Sequence, residues 1–404
     1  MSDLIYLDYA STTPCNEEVL AAMQPYFTTI YGNSNSLHRF GQEALDGLSH
    51  ARDCVGRLIN ADFEEVIFTS GATEANNIAI LRTVKTISNG GRPLFATFKP
   101  EHKSVLDCAN KLKAGGHNVT YLDVLSNGLF DLDSLDNALS NNNIGLLSVC
   151  FVNNETGAIQ NIRRIAEICQ WKGILLHVDA TQAFGKIPVD VKELGVDFMS
   201  ASGHKIYGPK GIGILYCKKQ NMKYVKIPRA NYEVEFGVRS GTTPVPLCVG
   251  MGHASKIAGE RMHMDYGHVK ALREKLVSGI TSRLEEIYVN GAPDSSYPGI
   301  TSMSFRGCEG EAMMMEANKI AVSSGSACTS NKLSISHVLS AMGISADIAQ
   351  SSLRISIGRH TTEEDIDIAV DNLIGATNKL REMSPVWDMI KAGMDVDAIF
   401  QRAH

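Results

Sequence analysis

The sequence predicts an α/β protein, with a mainly parallel central sheet in a large domain and a smaller α+β domain in the C-terminal part. Three observations predict this class. Short apolar runs alternate with segments of helical spacing from about residue 42 to residue 216, as in parallel sheets covered on both faces. Polar groups follow one apolar run after another. Beyond about residue 260 the alternation stops and a long helical segment begins.

Composition agrees with a large globular protein. The chain has 404 residues, of which 44% are hydrophobic and 20% are charged, so it can bury a sizeable core. A formal net charge of −6 gives no basic surface for nucleic acid. The N-terminal residues do not form a basic region followed by an apolar run, and the sequence has no stretch of about 18 apolar residues. We therefore expect a cytoplasmic protein without membrane contact. The nine cysteines are scattered without a Cys-x-x-Cys pair, which predicts reduced thiols and no metal site.

Hydrophobic spacing assigns the elements of the large domain in order. The predicted helices are Glu17–Phe27, Gln42–Ile59, Glu74–Val84, His102–Leu112, Leu132–Leu139 and Ile162–Lys172. The predicted strands are Val66–Thr69, Leu94–Thr97, Val119–Leu122, Ile144–Val152, Ile174–Asp179, Val196–Ser200 and Gly211–Tyr216. We expect this domain to span residues 15–260.

The smaller domain should contain residues 1–14 and 261–404. Its predicted helices are Tyr266–Ile287, Gly310–Ala317 and Thr362–Met383, and its predicted strands are Ile287–Asn290, Ile300–Phe305, Ile320–Ser323 and Leu353–Gly358. Between them, Ser323–Ser330 consists of small residues that cannot pack a core, and we expect it to form a mobile loop within 323–334.

Five polar groups should meet at one pocket, because ligands of such sheets sit beyond the carboxyl ends of the strands. The groups are Thr69–Thr73, Glu101–His102, Asn153–Asn154, Asp179–Gln182 and Ser202–Lys205. Polar residues after strands are common, so each group alone is weak evidence. Their chemical types, however, form a set.

Lys205 is the candidate centre of that set. A lysine in a tight Gly/Pro-rich turn can lose part of its hydration and form a Schiff base with an aldehyde, whereas most single lysines are surface charges. Pyridoxal 5′-phosphate supplies such an aldehyde, and its ring nitrogen needs a carboxylate partner. Asp179, at the end of an apolar strand, suits this role, although a single Asp there is also a plausible turn residue or helix cap.

The remaining groups could hold the rest of this cofactor. Ser70–Glu74 opens a helix with small residues, which suits a phosphate but is also typical of an ordinary capped helix. Ser202 and His204 could add phosphate donors, and Gln182 could bind the ring hydroxyl. His102 could stack on the ring and move protons, although a single His at a helix start is more often a cap.

Taken together, these motifs resemble cysteine desulfurases of the IscS/NifS group, within the fold-type I pyridoxal phosphate enzymes. The resemblance runs from Tyr6 to the C-terminus. The segments that carry it are Thr69–Glu74, Glu101–Lys103, Asn153–Glu155, His177–Gln182, Ser202–Gly211, Arg239–Thr242 and Ser323–Ser330.

The resemblance implies a role for each matching residue. Those implied to bind the cofactor are Lys205 as its covalent attachment point, Asp179 at the pyridine nitrogen, Gln182 at the ring hydroxyl, His102 stacked on the ring as acid–base catalyst, and Ala72, Thr73, Ser202 and His204 at the phosphate. Thr242 would reach the phosphate from the other subunit of a homodimer. Asn154 and Arg354 would hold the carboxylate of L-cysteine.

Cys328 would be the second reactive centre. The resemblance implies that its thiolate takes the sulfur of L-cysteine as a persulfide and leaves L-alanine, for iron–sulfur cluster assembly and other sulfur transfer. Thiolate chemistry needs an accessible cysteine, which a loop of small residues provides. Among the other cysteines, only Cys308 competes with Cys328 for this role by its predicted position in a loop. The tail from Ser384 resembles the segment that docks the iron–sulfur scaffold protein.

One segment departs from the family. Where the family has a Gly-Gly-Gln-Glu-like run, this chain has Ala230–Gly237, including Tyr232, Glu233 and Val234. Side chains there would resist backbone conformations that glycine permits. Two alternatives therefore stay open beside the desulfurase: a selenocysteine lyase or other pyridoxal phosphate enzyme, and a low-activity paralogue that acts as a partner in sulfur transfer.

Overall fold

A mixed, mostly parallel sheet and a smaller antiparallel sheet organise the molecule. The computed structural model describes residues 4–88, 94–140, 143–227, 234–324, 335–394 and 396. The described strands are β1 Ile5–Tyr6, β2 Val66–Thr69, β3 Leu94–Phe98, β4 Val119–Leu122, β5 Ile144–Cys150, β6 Leu175–Asp179, β7 Phe198–Ser202, β8 Gly213–Cys217, β9 Ile287–Asn290, β10 Ile300–Phe305, β11 Ile320–Ala321, β12 Ser323–Ser324 and β13 Ser352–Ser356.

The helices lie between these strands and in the C-terminal part. The described helices are α1 Glu17–Met23, α2 Pro25–Thr28, α3 Arg39–Ile59, α4 Ala72–Asn77, α5 Thr83–Ile87, α6 Lys103–Ala114, α7 Leu132–Ser140, α8 Ile162–Lys172, α9 Val191–Leu194, α10 Met222–Val225, α11 Val245–Thr281, α12 Gly310–Glu316, α13 His337–Ala341, α14 Ala346–Gln350, α15 Glu363–Glu382 and α16 Pro385–Lys391. A π-helical turn, Ile78–Arg82, joins α4 to α5. Within the described part of the chain, no helix is both long and apolar enough to cross a membrane.

The large sheet has the strand order β2-β8-β7-β6-β5-β3-β4. Strand β8 runs antiparallel to both of its neighbours, and the other pairs are parallel. The link from β7 to β8 holds a single short 3₁₀ turn, Gly203–Lys205, and a connection without a crossover helix reverses the chain. The carboxyl ends of β2, β5, β6 and β7 therefore lie at one edge, and the mainly parallel sheet predicted from the sequence is confirmed.

Helix α11 begins 21 positions before the helix that the sequence predicts at Tyr266. The first half of α11 packs closely on α3, and this close contact requires small residues in place of the large apolar residues that mark an amphipathic helix. A Cβ atom at Gly252 would lie 2.5 Å from the Cα atom of Ala51, so only glycine permits this approach. Small residues at such a contact interrupt the hydrophobic periodicity of a helix. The sequence pattern therefore does not predict the start of α11.

The C-terminal sheet is antiparallel, with the strand order β12-β13-β10-β9. The N-terminal strand β1 pairs in parallel with β11, so the first described residues lie beside the C-terminal part. The smaller antiparallel sheet agrees with the predicted fold class, and the assignment of residues 1–14 to the smaller domain stays a prediction. The division at 260/261 falls inside α11 and stays a prediction.

Candidate active site

A cavity of about 570 Å³ lies at the carboxyl ends of the large sheet. Its walls include residues of all five polar groups that follow the strands, together with the N-terminal segment Ala10–Thr12. The predicted residues that line it are Ala72, Thr73, His102, Asn154, Asp179, Gln182, Ser202, His204, Lys205 and Arg354. The fold thus brings into one cavity residues that are up to 344 positions apart, from Ala10 to Arg354.

Lys205 ends the 3₁₀ turn that follows β7 and is half-buried. Its Nζ atom donates to the carbonyl oxygens of Ala10 at 2.6 Å and Ser11 at 2.5 Å. The N-terminal segment therefore holds the amine inside the cavity. Ala10 and Ser11 act through their backbone, so no side-chain motif could have identified them.

Asp179 ends β6 and is only 5% exposed. One carboxylate oxygen accepts from the backbone N–H and the hydroxyl of Thr181, and the other accepts from Nδ2 of Asn76 at 2.8 Å. A carboxylate can accept about four hydrogen bonds, so the oxygen next to Asn76 has capacity for a further donor. A protonated ring nitrogen is such a donor.

Asn76 is a contributor that the sequence analysis missed. It lies in α4, one turn after the small residues at the helix start, and its side chain also donates to Ser104 Oγ at 2.9 Å. The spacing of four residues from Ala72 places it on the cavity side of the helix, which is the signal that could have found it.

The start of α4 forms a cradle next to β7. Gly71 has a φ of +152°, and a Cβ atom built on it would point at Ser202 Oγ from 3.9 Å. Gly213 is also required here, because its Cβ would lie 2.7 Å from the Cα of Gly71. Ala72 and Thr73 are the first residues of the helix. Backbone N–H groups at a helix start and nearby hydroxyls are the donors that a phosphate needs.

His204 lies at the same end of the cavity. Its Nδ1 atom is 3.1 Å from Thr12 Oγ1. Burial and the nearby Lys205, Lys210 and Lys186 lower the pKa of His204 to about 4, so the ring is neutral at pH 7. A neutral imidazole still offers one N–H donor.

His102 caps α6, where its Nδ1 atom accepts from the backbone N–H of Ser104 at 3.2 Å. Loss of hydration lowers the pKa of His102, while Asp179 acts in the opposite direction. The ring is therefore neutral near pH 7 and able to accept a proton. His102 both caps the helix and lines the cavity, so its role as a cap does not exclude a role in acid–base chemistry.

Behind His102, Glu101 is completely buried. One of its carboxyl oxygens accepts from the backbone N–H of Cys150 at 2.7 Å, and the other has no hydrogen-bond partner among the described residues. Burial and, secondarily, Asp179 raise the pKa of Glu101 well above its usual value. Burial thus favours the protonated form of Glu101.

Arg354, on β13, reaches the cavity from the C-terminal sheet and is 9% exposed. It pairs with Asp8 at 2.8 Å and donates to the hydroxyls of Ser11 and Ser323 and to the carbonyl oxygen of Asn154. Its Nε atom is buried without a partner in the described structure. The guanidinium therefore has donor capacity for an incoming carboxylate beside Asn154.

The described part of the departing segment lies beside the phosphate cradle. Glu235 is buried and forms two hydrogen bonds to Arg52, at 2.8 and 2.9 Å, and accepts from the backbone N–H of Phe68 at 2.8 Å. Arg239 donates to Glu74 at 2.8 Å. Glu235 and Phe236 both have positive φ angles, 51° and 57°. Side chains thus occupy backbone conformations that favour glycine, while Tyr232 and Glu233 lie outside the described residues.

Two predicted residues are not among the described residues of this cavity wall. Thr242 is exposed and is absent from the cavity lining. Cys328 and most of its loop, from 325 to 334, lie outside the described residues. Cys308, its rival, is 8% exposed, and burial raises the pKa of its thiol to about 11. Such a buried, protonated thiol is unsuited to nucleophilic chemistry.

The site fits the predicted cofactor. Asp179 has capacity for the ring N–H, the helix start next to Ser202 suits a phosphate, and Lys205 presents an amine in the same cavity. Among the described residues, no group of three or more His, Cys, Asp or Glu side chains could hold a metal ion.

Comparisons with known proteins cover nearly the whole chain. A family model described as aminotransferase class-V matches residues 5–369. Cysteine desulfurase IscS of Rickettsia massiliae (strain Mtu5) is 45% identical over 401 residues, which are 99% of this chain and 97% of the relative. A solved NifS-like protein has a TM-score of 0.84 and 33% identity, covering 93% of this chain and 100% of that one. The solved structure of SspA in complex with cysteine has a TM-score of 0.78 and 31% identity, covering 89% of this chain and 100% of that one.

Proposed function

The chain belongs to the class-V aminotransferase family, and from this premise we propose that it is a pyridoxal 5′-phosphate-dependent cysteine desulfurase. The observation that carries the proposal is one cavity that contains Lys205, Asp179 and Arg354. These supply an amine for an aldehyde, a carboxylate for a ring nitrogen and a guanidinium for a substrate carboxylate. The similarity to proteins named cysteine desulfurase, over nearly the full length, selects L-cysteine as the substrate.

When bound, pyridoxal 5′-phosphate supplies an aldehyde for amino groups and a ring that draws electrons from the substrate. Asp179 would keep the ring nitrogen protonated, and Gln182 would bind the ring hydroxyl. Ala72, Thr73, Ser202 and His204 would hold the phosphate. Arg354 and Asn154 orient the carboxylate of L-cysteine, which has to compete with Asp8 for the guanidinium.

Two side chains move protons at the substrate. The Lys205 amine stays close to the reacting carbon because Ala10 and Ser11 hold it. The neutral His102 ring can accept a proton from the substrate and return it. Behind it, burial favours the protonated form of Glu101, which limits negative charge next to His102.

Cys328 is the proposed sulfur acceptor. Its thiolate attacks the substrate sulfur, so that one S–S bond forms and the C–S bond of L-cysteine breaks. The carbon gains a proton and leaves as L-alanine, while the sulfur stays on Cys328 as a persulfide. We propose that the chain acts as a cytoplasmic homodimer with Thr242 completing the partner's site, and that it passes sulfur to an iron–sulfur scaffold protein docked near Ser384 and to other acceptors.

The test is alanine release from L-cysteine, with the visible spectrum of the same sample. We expect the purified protein to absorb visible light and to release alanine, and Lys205→Ala to lose both. Absence of visible absorbance would contradict the cofactor assignment. Absorbance without alanine release would favour the paralogue, and a preference for selenocysteine would favour the lyase.

A further inference from the structure

A second lysine lies behind the cofactor side of the cavity and has no role in the mechanism above. Lys186 follows the turn after β6 and is partly buried. Its Nζ atom donates to Gln182 Oε1 at 2.6 Å and lies 5.5 Å from the centre of the Tyr297 ring. Lys186 therefore contacts the residue that we assign to the ring hydroxyl, from the side away from the cofactor.

The contacts of Gln182 define the orientation of its amide. Its Nε2 atom donates to the carbonyl oxygen of Ala10 at 2.8 Å, and its Oε1 atom accepts from Lys186. If the amide were reversed, Oε1 would face the Ala10 carbonyl and Nε2 would face the ammonium, so that two acceptors and two donors would oppose each other. Lys186 and Ala10 thus direct the second N–H of Gln182 into the cavity.

The small cavity beside Lys186 is lined by cationic, aromatic and apolar residues. Burial, and then Lys205 and Arg354, lower the pKa of Lys186 to about 7. Tyr9, Tyr207, Tyr297, Arg359 and Asp265 line the small cavity beside it. Asp265, the one acid of this lining, is paired with Arg359 at 2.8 Å. The nearest described acceptor for Lys186 is therefore the Gln182 amide.

We propose that Lys186 is a positioning residue that fixes the Gln182 amide as a donor toward the ring oxygen of the cofactor and stabilises negative charge on that oxygen. The inference rests on the proposed function, since it requires pyridoxal 5′-phosphate in the cavity. A hydrogen bond from a charged group is stronger than a neutral one. Its loss leaves the Ala10 carbonyl as the remaining described contact that orients the amide. Lys186 then sets how long the cofactor stays bound and at which pH its absorbance changes.

The experiment compares three variants of the full-length holoprotein. Lys186→Met removes both the donor and the charge, Lys186→Gln keeps a donor without charge, and Lys192→Met is the control. Lys192 is exposed, pairs with Asp62 and is not in the cavity wall. The readouts are the rate of cofactor release on dilution and the pH midpoint of the visible absorbance change.

We expect Lys186→Met to release the cofactor about tenfold faster and to raise the pH midpoint by about one unit, because a nearby positive charge is lost. Lys186→Gln should release the cofactor almost as slowly as the parent, but its pH midpoint should stay raised. Lys192→Met should match the parent in both readouts. Equal release rates and midpoints in Lys186→Met and the parent would overturn the proposal.

A double variant separates positioning through Gln182 from a general loss of packing. If Lys186 acts through Gln182, the Lys186→Met change should add little to Gln182→Met in either readout. The same tenfold acceleration in both backgrounds would overturn the proposal, and this comparison remains valid if the variants are less stable than the parent. A parent protein without visible absorbance would instead contradict the proposed function itself.

Discussion

Asp179 has one carboxylate oxygen with capacity for a further donor. This capacity predicts how Asp179→Asn affects alanine release. Asp179→Asn keeps the shape and the contact with Thr181, but an amide does not stabilise a proton on the ring nitrogen. We expect alanine release to fall about a hundredfold or more. Asp190→Asn is the matched control, because Asp190 caps α9 outside the cavity. Parent-like turnover by Asp179→Asn would contradict the role of this carboxylate.

His177 gives a prediction for stability against pH. It is fully buried between Ser148 and Ser200, and burial lowers its pKa to about 4. The unfolded chain takes up a proton below about pH 6.5 and the folded chain does not, so the free energy of unfolding should fall as the pH drops from about 6.5 to about 4. The contribution of this residue is on the order of 3 kcal/mol.

Urea unfolding at pH 7 and pH 5 measures that effect. The parent should lose more stability between the two pH values than His177→Gln, whose amide does not titrate. An identical loss in both proteins would show that His177 does not contribute to the pH dependence.

Single residues differ in how far their sequence position reveals them. Lys205, Asp179 and Gln182 could be predicted because each follows a strand whose end faces the cavity. Ala10 and Ser11 contribute carbonyl oxygens, which every residue possesses. Asn76 and Lys186 lie within helical or turn segments, so only the packed structure shows that they contact Asp179 and Gln182.

At the level of elements, the segment Val234–Arg239 is attached to α3 and β2. Glu235 contacts both Arg52 and the Phe68 backbone, and the Arg52 guanidinium also lies 4.8 Å from the centre of the Phe236 ring. Strain from the two positive φ angles is therefore opposed by a buried ion pair.

Removing one partner of that pair should be costly. Glu235→Ala leaves the Arg52 charge buried and unpaired, and we expect a loss of about 3 to 5 kcal/mol in the free energy of unfolding. Denaturant unfolding of Glu235→Ala, with Glu363→Ala at the exposed start of α15 as control, checks this. A loss within about 0.5 kcal/mol would show that the pair is not needed to hold the segment.

The elements themselves were predictable to different degrees. Strands β5 and β6 are buried apolar runs, and their sequence shows this directly. The antiparallel direction of β8 is set by the connection from β7 and does not appear in its residue pattern. The first half of α11 was missed because glycines at its contact with α3 remove the apolar period.

For the whole molecule, the exposed Thr242 predicts that a single chain has an incomplete phosphate site. The native mass should be that of a dimer, and Thr242→Ala should lose the cofactor several-fold faster than the parent if one phosphate contact is removed. Mixing Thr242→Ala with Lys205→Ala subunits should restore one intact site in each mixed dimer, with parent-like cofactor retention there. Subunit exchange without such recovery would place Thr242 outside the partner's site.

Sulfur transfer to Cys328 is the central claim, and the bound sulfur tests it most directly. The measurement is the amount of protein-bound persulfide, located by mass spectrometry, against the alanine released after L-cysteine is added without reductant. We expect one alanine for each persulfide, with the added sulfur on the Cys328 peptide, and no persulfide in Cys328→Ser. Persulfide on another cysteine, or alanine and free sulfide formed at the parent rate by Cys328→Ser, would contradict it.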